Sequence, residues 1–242
     1  YPTDPGAVVI GGGEAGRVLR AESLEAVVVI TGLTITGGHA SGPNCYERSG
    51  GGLLASRADV RLQYVRLVGN MAAGSGGGLR AVDCSVVMVG CEVADNTAGK
   101  GGGGIDVSYG ASVDVLQTEI IGNDAAWGGG LSVRAGSSVN VRTGRLQANT
   151  ALAAPGLGGA VVCDSGATQI MTQTVLADNA ARYGGAVFTA GNAVSSFRFA
   201  TLDRNTVETG GGAFYCKGTA LDLDRAIVSD HPQAAFVCLD HA

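Results

Sequence analysis

Apolar and polar residues alternate along this chain in short bursts, and the bursts recur. Leu53, Leu79, Ile105, Leu131, Val161, Val187 and Phe214 each follow a glycine-rich step, and two residues beyond each stands Ala55, Ala81, Val107, Val133, Cys163, Thr189 or Cys216. Arg80, Asp106 and Ser132 fall between them, which gives the period of two that marks half-buried strands. A second apolar set, Leu62, Met88, Val115, Val141, Met171 and Phe197, lies eight residues before an asparagine. A third, Leu67, Val93, Ile120, Leu146, Leu176 and Leu202, lies three residues before the same asparagine. No segment sustains a helical period, so the pattern predicts strands alone, about three short ones per unit.

The unit is about 26 residues long. Glycine triplets begin at Gly50, Gly76, Gly102 and Gly128, and Gly-Gly-Ala takes over at Gly158, Gly184 and Gly211. In phase with them run Asn70, Asn96, Asn123, Asn149, Asn179 and Asn205, spaced by 26, 27, 26, 30 and 26 residues. A unit this short cannot bury its own apolar face, but stacked units can, each strand pairing with its equivalent one coil on. The expectation is one domain over 1–242, a parallel β-helix of eight or nine coils, right-handed because parallel crossovers take that hand. An antiparallel sandwich has no reason to repeat at this interval. The start at Tyr1 and the end at His241-Ala242 suggest a processed segment or a piece of a longer rod.

The corner letters have structural readings. Asparagine tolerates left-handed backbone, and stacked amides can bond along the axis as a ladder. Small residues two further on, Ala72, Ala98, Ala125, Ala151 and Ala181, fit a tight inward corner. Two units are longer than the rest, with extra residues at Ser41–Ser49 and Leu152–Leu157, and insertions in solenoids emerge as loops at one corner.

Composition then narrows the classes of function. Glycine fills 41 of 242 positions but proline only five, without the Gly-X-Y period of collagen. The net charge of −5 and only two lysines, Lys100 and Lys217, argue against a nucleic-acid partner. No apolar run has the roughly 20 residues of a membrane span, so no membrane insertion is expected.

Candidate chemistry is sparse. The outward strand positions, Arg80, Asp106, Ser132, Val162, Phe188 and Tyr215 on one face and Arg61, Val87, Asp114, Asn140, Ile170 and Ser196 on another, stack no carboxylates on consecutive coils. Lyases and glycosidases need such clusters, so no catalytic residue is assigned. Glu92 and Glu119 fall on adjacent coils, where calcium binding is weighed against solvated turn carboxylates; His39, His231 and His241 are scattered. No metal site or cofactor is assigned. Six cysteines fit an oxidising compartment. Cys84 and Cys91, read as lying across one corner, form a candidate disulfide, and Cys216–Cys238 is a second option. Trp127 and Tyr183 take equivalent corner positions two coils apart and form a candidate contact edge for a sugar or a protein.

The paired signals Gly-Gly-[Ala/Gly]-aliphatic and aliphatic-x-x-Asn resemble the repeats of the polymorphic outer membrane protein family, whose tetrapeptides are GGA-(I/L/V) and FxxN. Gly159-Ala160-Val161, Gly185-Ala186-Val187 and Gly212-Ala213-Phe214 look like the first, and Leu176-Ala177-Asp178-Asn179 like the second, with an aliphatic residue in place of phenylalanine. The run Val29–Gly38 is similar to the first coils of such proteins. The resemblance implies a secreted right-handed β-helix at a cell surface, with an adhesive role. The resulting expectation is a non-catalytic extracellular structural or adhesive module. Its partners would be other protein chains, neighbouring coils of a longer rod or surface glycans. The alternative is a carbohydrate-active β-helix enzyme.

Overall fold

The computed structural model describes residues 8–239; His241 and the two ends of the 1–242 span lie outside the described residues. Among the described residues there is no helix, 57% is strand, and the strands wind into a parallel β-solenoid of about nine turns. Three sheets run along its axis, with nine, seven and fifteen strands. Each coil nevertheless holds four strand segments, because the widest sheet takes two of them. In the coil beginning at Leu79 they are Leu79–Val82 and Ser85–Val89 in the wide sheet, Glu92–Ala94 in the nine-stranded sheet and Thr97–Gly101 in the seven-stranded sheet. One coil earlier the two wide-sheet segments are fused: Leu53–Gln63 runs unbroken and pairs with both Leu79–Val82 and Ser85–Val89.

Register is set by the repeat. Leu53, Leu79, Ile105, Leu131, Val161, Val187 and Phe214 are partners in succession, as are Leu67, Val93, Ile120, Leu146, Leu176 and Leu202. All of them are buried and form one continuous core with the Leu62–Phe197 set. A slip of one residue would turn these faces outward, so burial enforces the pairing.

The corners depart from expectation in an informative way. The left-handed residue is not the asparagine but the one before it: Gly69, Asp95, Gly122, Ala148, Asp178 and Arg204 have φ between 49° and 65°. The glycine triplets divide their labour. The first glycine of each has positive φ, as at Gly102 (φ 63°), and folds back over the outer side of the following strand, where a Cβ would meet the backbone N of Asp106 at 2.7 Å. The second faces the next coil, and a Cβ on Gly103 would sit 2.5 Å from the carbonyl oxygens of Asp124 and Gly129. The third position takes alanine at Ala160, Ala186 and Ala213, all fully buried.

This folding back corrects the sequence reading of the outer face. Asp106, Ser132 and Val162 do point away from the core, yet all three are buried, because the glycine corner lies over them. Both insertions leave the solenoid at that corner, between the seven-stranded sheet and the glycine step: Ser41–Ser49 follows the strand His39–Ala40, and Leu152–Leu157 follows Thr150–Ala151.

The cysteines are also placed differently. Cys216 and Cys238 are register partners on adjacent coils and form the disulfide. Cys84 and Cys91 are free thiols. They flank opposite ends of Ser85–Val89, and a strand of five residues holds its ends roughly 15 Å apart, beyond the reach of a disulfide. Burial pushes the Cys84 thiol up to about 11 and the Cys163 thiol to about 12.

Candidate functional site

The asparagines form an unbroken stack. Asn123 Oδ1 accepts from the backbone N–H and the Nδ2 of Asn96, both at 3.0 Å; Asn123 Nδ2 donates to Val93 O at 2.9 Å and to Asn149 Oδ1 at 3.0 Å. The same pattern runs from Asn70 through Asn205, which closes it by donating to Leu176 O. At the other end Gly38 N donates to Asn70 Oδ1. All six side chains are buried. Every amide group here has its partner, so the stack has nothing left to offer a ligand.

The acidic pair Glu92 and Glu119 are register partners, as expected, but an arginine flanks the pair on each side. Arg66 Nε donates to Glu92 Oε2 at 2.8 Å, and Arg145 is the register partner of Glu119 on the far side. Among the described residues no group of three or more His, Cys, Asp or Glu side chains could hold a metal ion.

Trp127 and Tyr183 lie on one corner with Leu157 between them as the shared bridge partner. That is two rungs, or about 9.6 Å at the usual strand spacing. Their rings belong to different clusters. Tyr183 meets Tyr215 edge-on at 5.4 Å, and Tyr215 stacks on Phe188 at 5.5 Å. Trp127 packs against Gly101, one coil earlier, where any side chain would collide with the indole.

On that side lies a cluster that sequence reasoning did not assemble. Asp106 is 0% exposed and accepts from Arg80 Nη1 at 2.8 Å and from Arg134 Nη2 at 2.9 Å, with Ser108 Oγ at 3.2 Å. Arg134 also donates to Ser132 Oγ at 3.0 Å, and its guanidinium lies 5.4 Å from the Trp127 ring centre. In front of this pair opens a cleft of about 420 Å³, roofed by the Ser41–Ser49 insertion; Tyr46, Arg48, Arg80, Lys100, Tyr109, Trp127 and Arg134 line it.

The roof is held firmly. Arg17 donates to the carbonyls of Tyr46 and Ser49 at 2.7 Å, and Asn44 Oδ1 accepts from the backbone N–H of Tyr46 and Glu47. Ser49 Oγ donates to Cys45 O and accepts from Ser75 N, which ties the loop to the next coil. Residues two apart on a strand share a face, so Ser132 with Arg134, read beside Arg80 and Asp106 in register, was the signal that could have exposed the cluster. The contributions of Arg48 and Lys100 depend on how the loop and the corner fold, and no spacing encodes that. No protein family, curated protein or solved structure matches the chain.

Proposed function

We propose that the chain is a non-catalytic extracellular β-helix of the GGA/FxxN polymorphic outer membrane protein type. It would serve as a structural or adhesive module of a cell-surface protein or an appendage filament. One observation carries the adhesive part: a rigid coil face presents cations and aromatic rings in a cleft under a pinned loop. Such loops on rigid scaffolds are where binding usually resides. Its partners on this reading are other protein chains, neighbouring coils of a longer rod, or surface glycans.

The rival reading, a carbohydrate-active enzyme, needs two carboxyl groups flanking one bond, one of them able to give up a proton. Asp106 is committed to two guanidinium groups, and Asp114 lies on the other half of the wide sheet with Val87 and Asn140 as its neighbours. Beads coated with the chain should adhere to cell surfaces, while incubation with acidic and neutral polysaccharides should yield no reducing ends and no double-bond absorbance. Turnover that disappears on changing Asp106 and Asp114 to asparagine would replace this reading with the enzymatic one.

A further inference from the structure

The cleft beneath Ser41–Ser49 holds more hydrogen-bond donors than the protein uses. Arg48 Nε, Arg80 Nε and Trp127 Nε1 are each shielded from solvent and meet no acceptor. A buried donor left without a partner costs about 1–3 kcal/mol, and three of the seven such polar atoms among the described residues gather in this one cleft, which calls for an explanation. Lys100 adds an ammonium with three donors and pairs with no carboxylate among the described residues. Four cations line the cleft in a chain whose net charge is −5. The carboxylate behind them, Asp106, is already engaged by two of the four.

The walls add flat apolar surface. Tyr109 is 65% exposed, and the Trp127 indole and Tyr46 complete the lining. An aromatic face covers the C–H face of a sugar ring without asking it for a hydrogen bond. The volume falls within the range of small-ligand sites, roughly 300–1,000 Å³.

The geometry points to a site for an acidic saccharide, one whose carboxylate or sulfate oxygens accept from the Arg48 and Arg80 guanidinium groups and the Lys100 ammonium while a ring lies on Tyr109. A nucleic acid would have to track a chain that is acidic overall. An acidic peptide supplies the oxygens but not the flat C–H face. This assignment rests on the adhesive reading above and names its ligand class.

The test is calorimetric titration of the whole chain with four probes: an oligogalacturonate, a chondroitin sulfate hexasaccharide, a neutral dextran oligomer and an oligoglutamate of matched charge. One or both acidic saccharides should bind, more weakly as salt is raised, and which one binds identifies the anion. Dextran and oligoglutamate should bind at least about tenfold more weakly, the loss that follows removal of one hydrogen bond to a charged group. Arg48→Ala with Lys100→Ala should cost the acidic saccharide about tenfold or more for the same reason, and Tyr109→Ala should also weaken it, all without lowering the unfolding temperature. Arg225→Ala, several coils away, should leave affinity unchanged.

Equal affinity for oligoglutamate overturns the assignment in favour of an acidic peptide. Absence of saccharide binding, or binding indifferent to Arg48 and Lys100, overturns it outright. The two claims fail separately. Bead adherence that survives the double substitution overturns the ligand class and leaves the module, whereas saccharide binding without bead adherence keeps the site and overturns the adhesive role.

Discussion

Two of the polar clusters shielded from water among the described residues differ in one respect. In the asparagine stack each amide oxygen and nitrogen is matched to a neighbour above or below, and the pattern is the same at every coil. Around Asp106 the acceptors are used up while donors remain on Arg48, Arg80 and Trp127. Both clusters keep polar atoms out of water, so burial of polar atoms does not by itself distinguish architecture from recognition. The balance of donors and acceptors does. A closed balance holds the coils together, and an open one presents unmet valence to the outside.

The comparison is easiest to break in the stack. Asn123→Ala removes one acceptor shared by two buried donors of Asn96, at about 1–3 kcal/mol for each donor, so about 2–6 kcal/mol should disappear from the urea unfolding free energy. Asp106→Ala should cost less, about 1–3 kcal/mol by the same measurement. Breaking a fully buried pair costs more than that, but the Arg80 and Arg134 side chains are 12% and 28% exposed and water can take over some of their donors. If Asp106→Ala proved the costlier, the open cluster would be the more structural one.

The glycine step sharpens the contrast in a smaller way. Gly103→Ala forces a Cβ against two carbonyl oxygens of neighbouring coils and should cost about 1–3 kcal/mol. Gly104→Ala should cost less: its Cβ would meet one carbonyl oxygen, of Gly130 at 2.7 Å, and alanine fills the equivalent site at Ala160, Ala186 and Ala213. The ratio of their unfolding midpoints checks this.

The smallest effect belongs to an exposed network that is neither stack nor cleft. Hydrogen bonds from Arg204 and then Gln147 hold the Asp178 carboxyl below the usual carboxylate range. A carboxyl whose pKa is lowered by folding stabilises above its unfolded value and loses that contribution as pH falls through its folded one. The small stability gap between the wild type and Asp178→Asn should therefore be open at pH 7 and close below about pH 4. A gap that persists in acid would mean that the network acts through packing.

Much of the architecture could be read from the chain because a solenoid writes its contacts at a fixed interval. Leu67 finds Val93, and Asn96 finds Asn123, simply by counting. What counting missed has a common cause. Which residue of the aliphatic-x-x-Asn step turns left-handed is a matter of backbone geometry, and Ala148 and Arg204 carry no letter that announces it. Cys84 and Cys91 are near in sequence, but the strand between them holds them apart. The burial of Asp106 follows from a corner folding back over its own strand, and the cleft from a loop of irregular length lying across several coils. Position along one strand was legible, and relations between a loop and a face were not.

The two insertions share one corner, and strand pairing in all three sheets continues past both of them, with one register shift away from that corner, between Leu24 and Val28 in the wide sheet. Chain length can therefore vary at that corner without renumbering a single contact of the core. For a designer this makes the bend at 73–75 a natural grafting site, where a new segment would be displayed over the same outward face. For descent by mutation it means that the recognition surface can be rewritten while the frame beneath it stays fixed.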